Sequence, residues 1–183
     1  MNAWLELDHK ILRAVNGLAP NWDYVLGWPT YLGWGWMTLF LACAAILIWD
    51  RASSARYWKI AAIATAALLA EGSTRLIKDL VGRSRPFEAL KDPAVRVLFN
   101  PPDSFSFPSG HAATAFAFAV LLNRLYPKAR LIWLYPVAAW ICLTRLYVGA
   151  HFLTDVAAGA LIGALVGEIS FQIWKKKTVL GSK

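Results

Sequence analysis

Five long apolar runs, at about 31–49, 58–80, 110–126, 130–148 and 152–174, constrain this chain more than any other feature of it. Each is flanked by charge, aromatic residues, Gly or Pro, and each approaches the ~20 residues that a helix needs to cross a hydrocarbon layer of about 30 Å. None shows the alternation of a lipid-facing strand, so sheets and barrels are unsupported. Hydrophobic residues make up 58% of the 183 positions and charged residues only 16%. One soluble core could not bury that much apolar surface, and a bilayer must act as solvent. The expectation is an all-α, polytopic membrane helix bundle with five transmembrane helices, forming a single integral membrane domain over residues 1–183.

Ahead of these runs, Trp4, Leu7, Ile11, Val15 and Leu18 recur at helical spacing, with Glu6, Asp8, His9, Lys10 and Arg13 between them. That pattern predicts an amphipathic helix over 3–17 lying in the membrane interface, ended by Gly17 and Pro20. No short cationic region precedes a cleavable apolar stretch, so the N-terminus is expected to be retained. Cys43 and Cys142 lie inside apolar runs, where a thiol behaves as a small hydrophobe, and neither a disulfide nor a metal site is expected from them. Gly159, Gly163 and Gly167, spaced by four, suit close helix packing.

The net charge of +8 does not point to nucleic acid, because the basic residues gather at the ends of apolar runs. Arg51, Arg56 and Lys59 lie in one connection, Arg124, Lys128 and Arg130 in another, and Lys175, Lys176, Lys177 and Lys183 after the last run. Alternating five spans puts all of them on one side, which the positive-inside bias makes cytoplasmic. The C-terminus is then cytoplasmic. The N-terminal helix, the 81–109 loop and the 148–152 turn face outward.

Three stretches on that outer side carry chemistry. Lys78 ends the second run, and Arg85, fixed by Pro86, follows a turn at Gly82; two cations converge, unless they are a basic membrane edge. In Pro108-Ser109-Gly110-His111, a helix N-terminus offers N–H groups to an anion. Ser109 could instead be an ordinary N-cap, but an ionisable His111 in the first turn of a span is costly and so a functional candidate. Thr144-Arg145 is followed by His151 and Asp155, spaced to share a helix face. A carboxylate there can fix the imidazole tautomer and leave the other nitrogen free to attack, although a structural pair has the same spacing.

Lysine, six residues, Arg-Pro; then Pro-Ser-Gly-His; then Ser-Arg, five residues, His, three residues, Asp: this is the signature that the stretch from Lys78 to Asp155 resembles, that of the phosphatidic acid phosphatase type 2 (PAP2) superfamily. Thr144 stands where the family usually has serine and keeps a hydroxyl. Some membrane relatives have six spans where five are counted here. The resemblance implies that His151 attacks phosphorus to give a phosphohistidine, Asp155 orients it, and His111 protonates the leaving oxygen. Lys78, Arg85, Ser109, the Gly110 N–H and Arg145 would bind the phosphoryl oxygens, with no metal and no cofactor. The implied partner is a phosphorylated membrane lipid within the bilayer. Undecaprenyl diphosphate, phosphatidylglycerol phosphate and the 1-phosphate of lipid A are candidates, and the bacterial inner membrane, with the site on its periplasmic face, is the expected location. A lipid phosphotransferase would use the same His and Asp, whereas a non-catalytic anion transporter needs no nucleophile. Vanadate-dependent haloperoxidases share the superfamily but are soluble.

Two further readings concern the surroundings. Glu71 and Arg75 are expected as a buried pair below Lys78, and Glu168 as too near the inner face to join the site. The loop from Phe87 to Phe107 either shapes an entry for a lipid head group or merely connects.

Overall fold

The computed structural model describes residues 3–18, 23–27, 30–31, 35–91, 95–98 and 103–180. Among these residues eight α-helices run in the order α1 Ala3–Asn16, α2 Asp23–Gly27, α3 Gly35–Trp49, α4 Arg56–Val81, α5 Pro86–Leu90, α6 Gly110–Leu125, α7 Leu134–Tyr147 and α8 Leu153–Leu180. No strand occurs among the described residues. All five apolar runs therefore contain a helix, while the short α2 and α5 were not expected.

Small residues make α6 the centre of the bundle. Ala112, Ala113, Ala117 and Ala119 are buried along it, and it packs against α8, α4 and α7. The tightest contact is with the glycine stripe of α8. A Cβ on Gly159, Gly163 or Gly167 would lie only 2.3, 2.1 or 2.5 Å from the carbonyl oxygens of Ser109, Ala113 and Ala117. Backbone meets backbone there, which only glycine permits. Around this seam Ile46, Ile63, Phe118 and Leu121 form the main apolar cluster, with α3 leaning on α4. The outward faces are apolar as well: Phe40, Ile48, Leu68, Leu76, Leu161 and Leu165 are each more than half exposed. In water such a surface would be a large liability, and it fits lipid contact.

Among the described residues, only α4 and α8 are long and apolar enough to cross a bilayer by themselves. With 15, 16 and 14 residues, α3, α6 and α7 extend about 21–24 Å at 1.5 Å per residue. The run at 130–148 is shortened because Arg130 takes a left-handed conformation, φ 47°, between two 3₁₀ turns, so the α-helix begins only at Leu134.

The N-terminal helix departs from a simple interfacial stripe. Asp8, Leu12 and Asn16, four residues apart, point into the molecule and are 3%, 0% and 1% exposed, while Trp4, Leu7 and Leu18 point outward. Ile11 and Val15 pack on Ala112, Cys142, Leu146 and Val156. The Asn16 amide donates to the carbonyls of Tyr147 and Arg96 and accepts the Arg96 N–H, so α1, the 95–98 segment and the end of α7 are laced together. A buried polar face must be paired, and this one is.

Candidate active site

Local chemistry at the helix ends delivers the three stretches to one place. Gly82, in left-handed conformation at φ 63°, ends α4 and donates its N–H to the Lys78 carbonyl, which sets Lys78 in the last turn. The chain then reverses, and Arg85 becomes the residue before α5, with Pro86 at the first helical position. On the far side, the N–H groups of Ala150 and His151 both donate to the Arg145 carbonyl, folding His151 back against the end of α7. The turn needs Gly149, at φ 72°, where a Cβ would meet the Arg96 carbonyl oxygen at 2.4 Å. Finally, the Ser109 N–H donates to the Asp155 carbonyl at 2.9 Å, fastening the start of α6 to the first turn of α8.

His151 lies just before α8, and Asp155 within its first turn. The carboxylate oxygen Oδ2 is 3.6 Å from His151 Nδ1. The same oxygen accepts the Phe152 N–H at 2.8 Å, half of a capping box, and the Ser106 hydroxyl. Ser106 Oγ is itself 3.5 Å from His151 Nδ1, so Nδ1 faces two oxygens and Nε2 is the nitrogen left for other work. Burial, opposed by Asp155 and reinforced by the nearby Arg145 and Arg85, pushes the His151 imidazole down to about 3. It is neutral at ordinary pH, as a nucleophile must be.

Cations surround this dyad. Arg85, 2% exposed, donates Nε to the Ser104 carbonyl at 2.7 Å, Nη2 to the Ser104 hydroxyl at 2.9 Å and Nη1 to the Ala150 carbonyl at 3.0 Å. A guanidinium has five N–H groups, so this clamp retains capacity for an anion. Lys78 Nζ donates to the Phe105 carbonyl, and Arg145 Nη1 to the Thr30 hydroxyl. His111 lies in the first turn of α6, two residues after Ser109, whose N–H is fastened to the Asp155 carbonyl. Every site residue expected from the sequence, Lys78, Arg85, Ser109, Gly110, His111, Arg145, His151 and Asp155, therefore falls in or directly beside one cluster.

Three residues of that cluster carry unpartnered polar atoms. Ser109 Oγ, His111 Nε2 and Arg145 Nε are buried without a hydrogen-bond partner. Arg56 Nε and Ser170 Oγ are also unpartnered, outside the three stretches. Each such group costs about 1–3 kcal/mol when left unsatisfied, and a ligand bound where the three stretches meet would relieve that cost at Ser109, His111 and Arg145. Ser109 makes no side-chain cap bond to α6, which removes the ordinary N-cap reading. A phosphoryl group offers acceptor oxygens to Ser109 and Arg145 and a proton acceptor to His111.

Other details add to the sequence reading or correct it. Thr144 donates its hydroxyl to the Ile141 carbonyl at 2.7 Å. Glu71 and Arg75 do pair, at 2.6 Å, but their side chains are 53% and 74% exposed, so the pair is on the surface and not buried. Glu168 binds Arg124 at the other end of the bundle, outside the site. The loop before α6 is more than a connector, because Ser104, Phe105 and Ser106 each hold a site residue. Sequence reasoning missed Ser106 and Arg83, whose Nη1 donates to Asp155 Oδ1 at 2.6 Å. No motif marks a serine in a loop, and Arg83 was visible only as a neighbour of Arg85. An open groove of about 400 Å³, walled by Trp4, Leu5, Val81 and Phe107, approaches Arg83 from the side of α1.

Comparison with known proteins agrees with this geometry. Residues 56–178 match the PAP2 superfamily. A decaprenylphosphoryl-5-phosphoribose phosphatase of Mycobacterium tuberculosis is 37% identical over 135 residues, 74% of this chain and 69% of that protein. A lipid A 4′-phosphatase of Bacteroides thetaiotaomicron is 31% identical over 94% of this chain and 79% of its own length. Among solved structures, LpxE of Aquifex aeolicus superposes with a TM-score of 0.74 at 30% identity, covering 89% of this chain and 93% of that one. A transmembrane PAP2-type phosphatidylglycerolphosphate phosphatase of Bacillus subtilis does so with a TM-score of 0.73 at 25% identity, covering 96% and 88%. With the match spanning most of the chain and the three stretches meeting at one buried cluster, this protein belongs to the PAP2 superfamily.

Proposed function

We propose that the protein is a lipid phosphate phosphatase of a bacterial inner membrane that works through a phosphohistidine, with no metal ion. The observation that carries this reading is that Ser109 Oγ, His111 Nε2 and Arg145 Nε are buried and unpartnered on the stretches whose backbones are fastened to Asp155 and to His151, itself neutral and facing Asp155. His151 Nε2 attacks phosphorus as the bond to the lipid oxygen breaks, and His111 gives that oxygen a proton. Water then attacks the phosphohistidine, releases inorganic phosphate and restores both imidazoles. Lys78, Arg85, Ser109, the Gly110 N–H and Arg145 hold the three phosphoryl oxygens, which suits a reaction that depends on positioning and charge stabilisation.

The five helices α3, α4, α6, α7 and α8 are the spans of one domain over residues 1–183, with the site on the periplasmic face and the C-terminus in the cytoplasm. The basic residues Arg51, Arg124 and Lys175 at the opposite end favour that orientation. Relatives named for lipid A and for a decaprenylphosphoryl phosphoribose favour a substrate whose phosphate sits on a sugar head group of a glycolipid or of a polyprenyl-linked lipid. Undecaprenyl diphosphate, phosphatidylglycerol phosphate and lipid A 1-phosphate belong in the same panel. A transporter would not need the His–Asp pair. The test is phosphate release from that panel by purified protein in detergent with a chelator present. Release from at least one lipid, lost in His151→Ala, is expected; release that persists in His151→Ala would remove the nucleophile, and no release from any lipid would remove the enzyme.

A further inference from the structure

One partner of Asp155 leads outside the family's motifs altogether. Arg83 Nη1 donates to Asp155 Oδ1 at 2.6 Å, and Arg83 Nη2 donates to Asp8 Oδ2 on α1 at 2.9 Å. The guanidinium lies 4.2 Å above the Phe152 ring, beside the nucleophile's own backbone. Asp8 also accepts the Thr154 N–H at 3.0 Å and the Thr154 hydroxyl, so the α1 carboxylate satisfies an otherwise bare N–H in the first turn of α8. Both carboxylates are sealed from solvent, Asp155 at 0% and Asp8 at 3% exposed, with Arg83 at 21% between them.

A planar guanidinium bound to two carboxylates fixes the position of each, because its donors leave in a rigid fork. That matters here because Asp155 stands 3.6 Å from His151 Nδ1, a separation at which a small displacement decides whether the imidazole is oriented at all. Asp8 lies outside residues 56–178, the stretch that matches the superfamily. Arg83 falls between Lys78 and Arg85, at a position the motif leaves open.

We propose that Asp8 and Arg83 are positioning residues for phosphoryl transfer, forming a relay from the N-terminal helix to Asp155 that sets the orientation of His151. The proposal rests on the reading of His151 and Asp155 as nucleophile and orienting carboxylate. Both residues act through Asp155, so their loss should slow the chemical step without weakening lipid binding.

The test uses the full chain in detergent and the panel lipid that the wild type hydrolyses fastest, measuring kcat and KM for Asp8→Asn, Arg83→Gln, Arg83→Lys, the Asp8→Asn/Arg83→Gln double variant and His151→Ala. Asparagine can still accept the Thr154 N–H through its oxygen, but its NH2 replaces the carboxylate oxygen to which Arg83 and the Thr154 hydroxyl donate, so Asp8→Asn breaks the charged link from α1 to Arg83. Arg83→Gln is expected to lower kcat about 10-fold or more with KM within about 2-fold, and Asp8→Asn to lower it by a smaller factor. Arg83→Lys should recover most of the loss, and the double variant should be no slower than Arg83→Gln alone, as expected of residues acting in series. Wild-type kcat in Arg83→Gln or Asp8→Asn, no recovery with lysine, or losses that multiply in the double variant would each overturn the relay. If the single variant Arg83→Gln does not fold, Asp8→Asn and Arg83→Lys decide the matter by the same kcat criterion. An active His151→Ala would overturn the underlying reading instead, so the two failures are distinct.

Discussion

The two histidines of the site have different surroundings, and the different roles proposed for them rest on that. His151 faces Asp155 and Ser106 through Nδ1, whereas His111 presents a buried Nε2 with no partner. An acid that protonates a leaving group is needed only when that group leaves poorly. His111→Ala should therefore slow hydrolysis of an alkyl lipid phosphate by about 10²-fold or more, as general acids typically contribute, and slow a p-nitrophenyl phosphate ester far less. Equal losses on both substrates would place His111 in binding. His151 also links stability to pH. Its folded value of about 3 lies below the ordinary 6.5, so below about pH 6.5 the unfolded chain takes up a proton that the folded pocket refuses. Stability should fall as pH drops through this window, by about 2 kcal/mol at pH 5 from this residue alone. Unfolding midpoints measured in detergent at about pH 7.5 and pH 5 check this, and His151→Gln should remove that part of the difference; an unchanged difference would contradict it.

At the scale of the elements, the site depends on how closely α6 can approach α8. Ser109 is held by its N–H to the Asp155 carbonyl, and Gly159 leaves the room for that contact. Gly159→Ala puts a methyl 2.3 Å from the Ser109 carbonyl oxygen, and overpacking of this kind costs about 1–3 kcal/mol. Loss of thermal stability together with loss of activity is expected there. Gly72→Ala in α4, where an added Cβ meets nothing within 4 Å, should leave activity unchanged and raise stability by up to about 1 kcal/mol, and serves as the comparison. The elements were largely legible in the sequence because apolar runs and helix ends are local signals: Gly82 and Pro86 bracket the turn that carries Arg85, and Gly159 to Gly167 announce a packing face. What was not legible came from tertiary contact. Asp8 has the sequence context of a solvent-facing residue, and only the docking of α1 against Arg83 and Thr154 buries it. Ser106 looks like any loop serine until Asp155 arrives from 49 residues away. Glu71 and Arg75 show the converse, since spacing foretold their pairing but not the surface they share.

The whole molecule brings three distant stretches, around Lys78 to Arg85, Ser109 to His111 and Arg145 to Asp155, to one end of a helix bundle whose flanks are apolar. Helix ends place their backbone N–H groups and their cations there, while the bundle below excludes water, and that combination strengthens every charge interaction with a phosphoryl group. The central claim is that phosphorus is transferred to His151 before water accepts it. Rapid mixing of the protein with a lipid labelled at its phosphate, quenched in alkali, tests it most directly. Label bound to the chain, stable in base and lost in acid, present in wild type and absent in His151→Ala, is the expected result. Full turnover with no labelled chain at any quench time, or label that persists in His151→Ala, would contradict it.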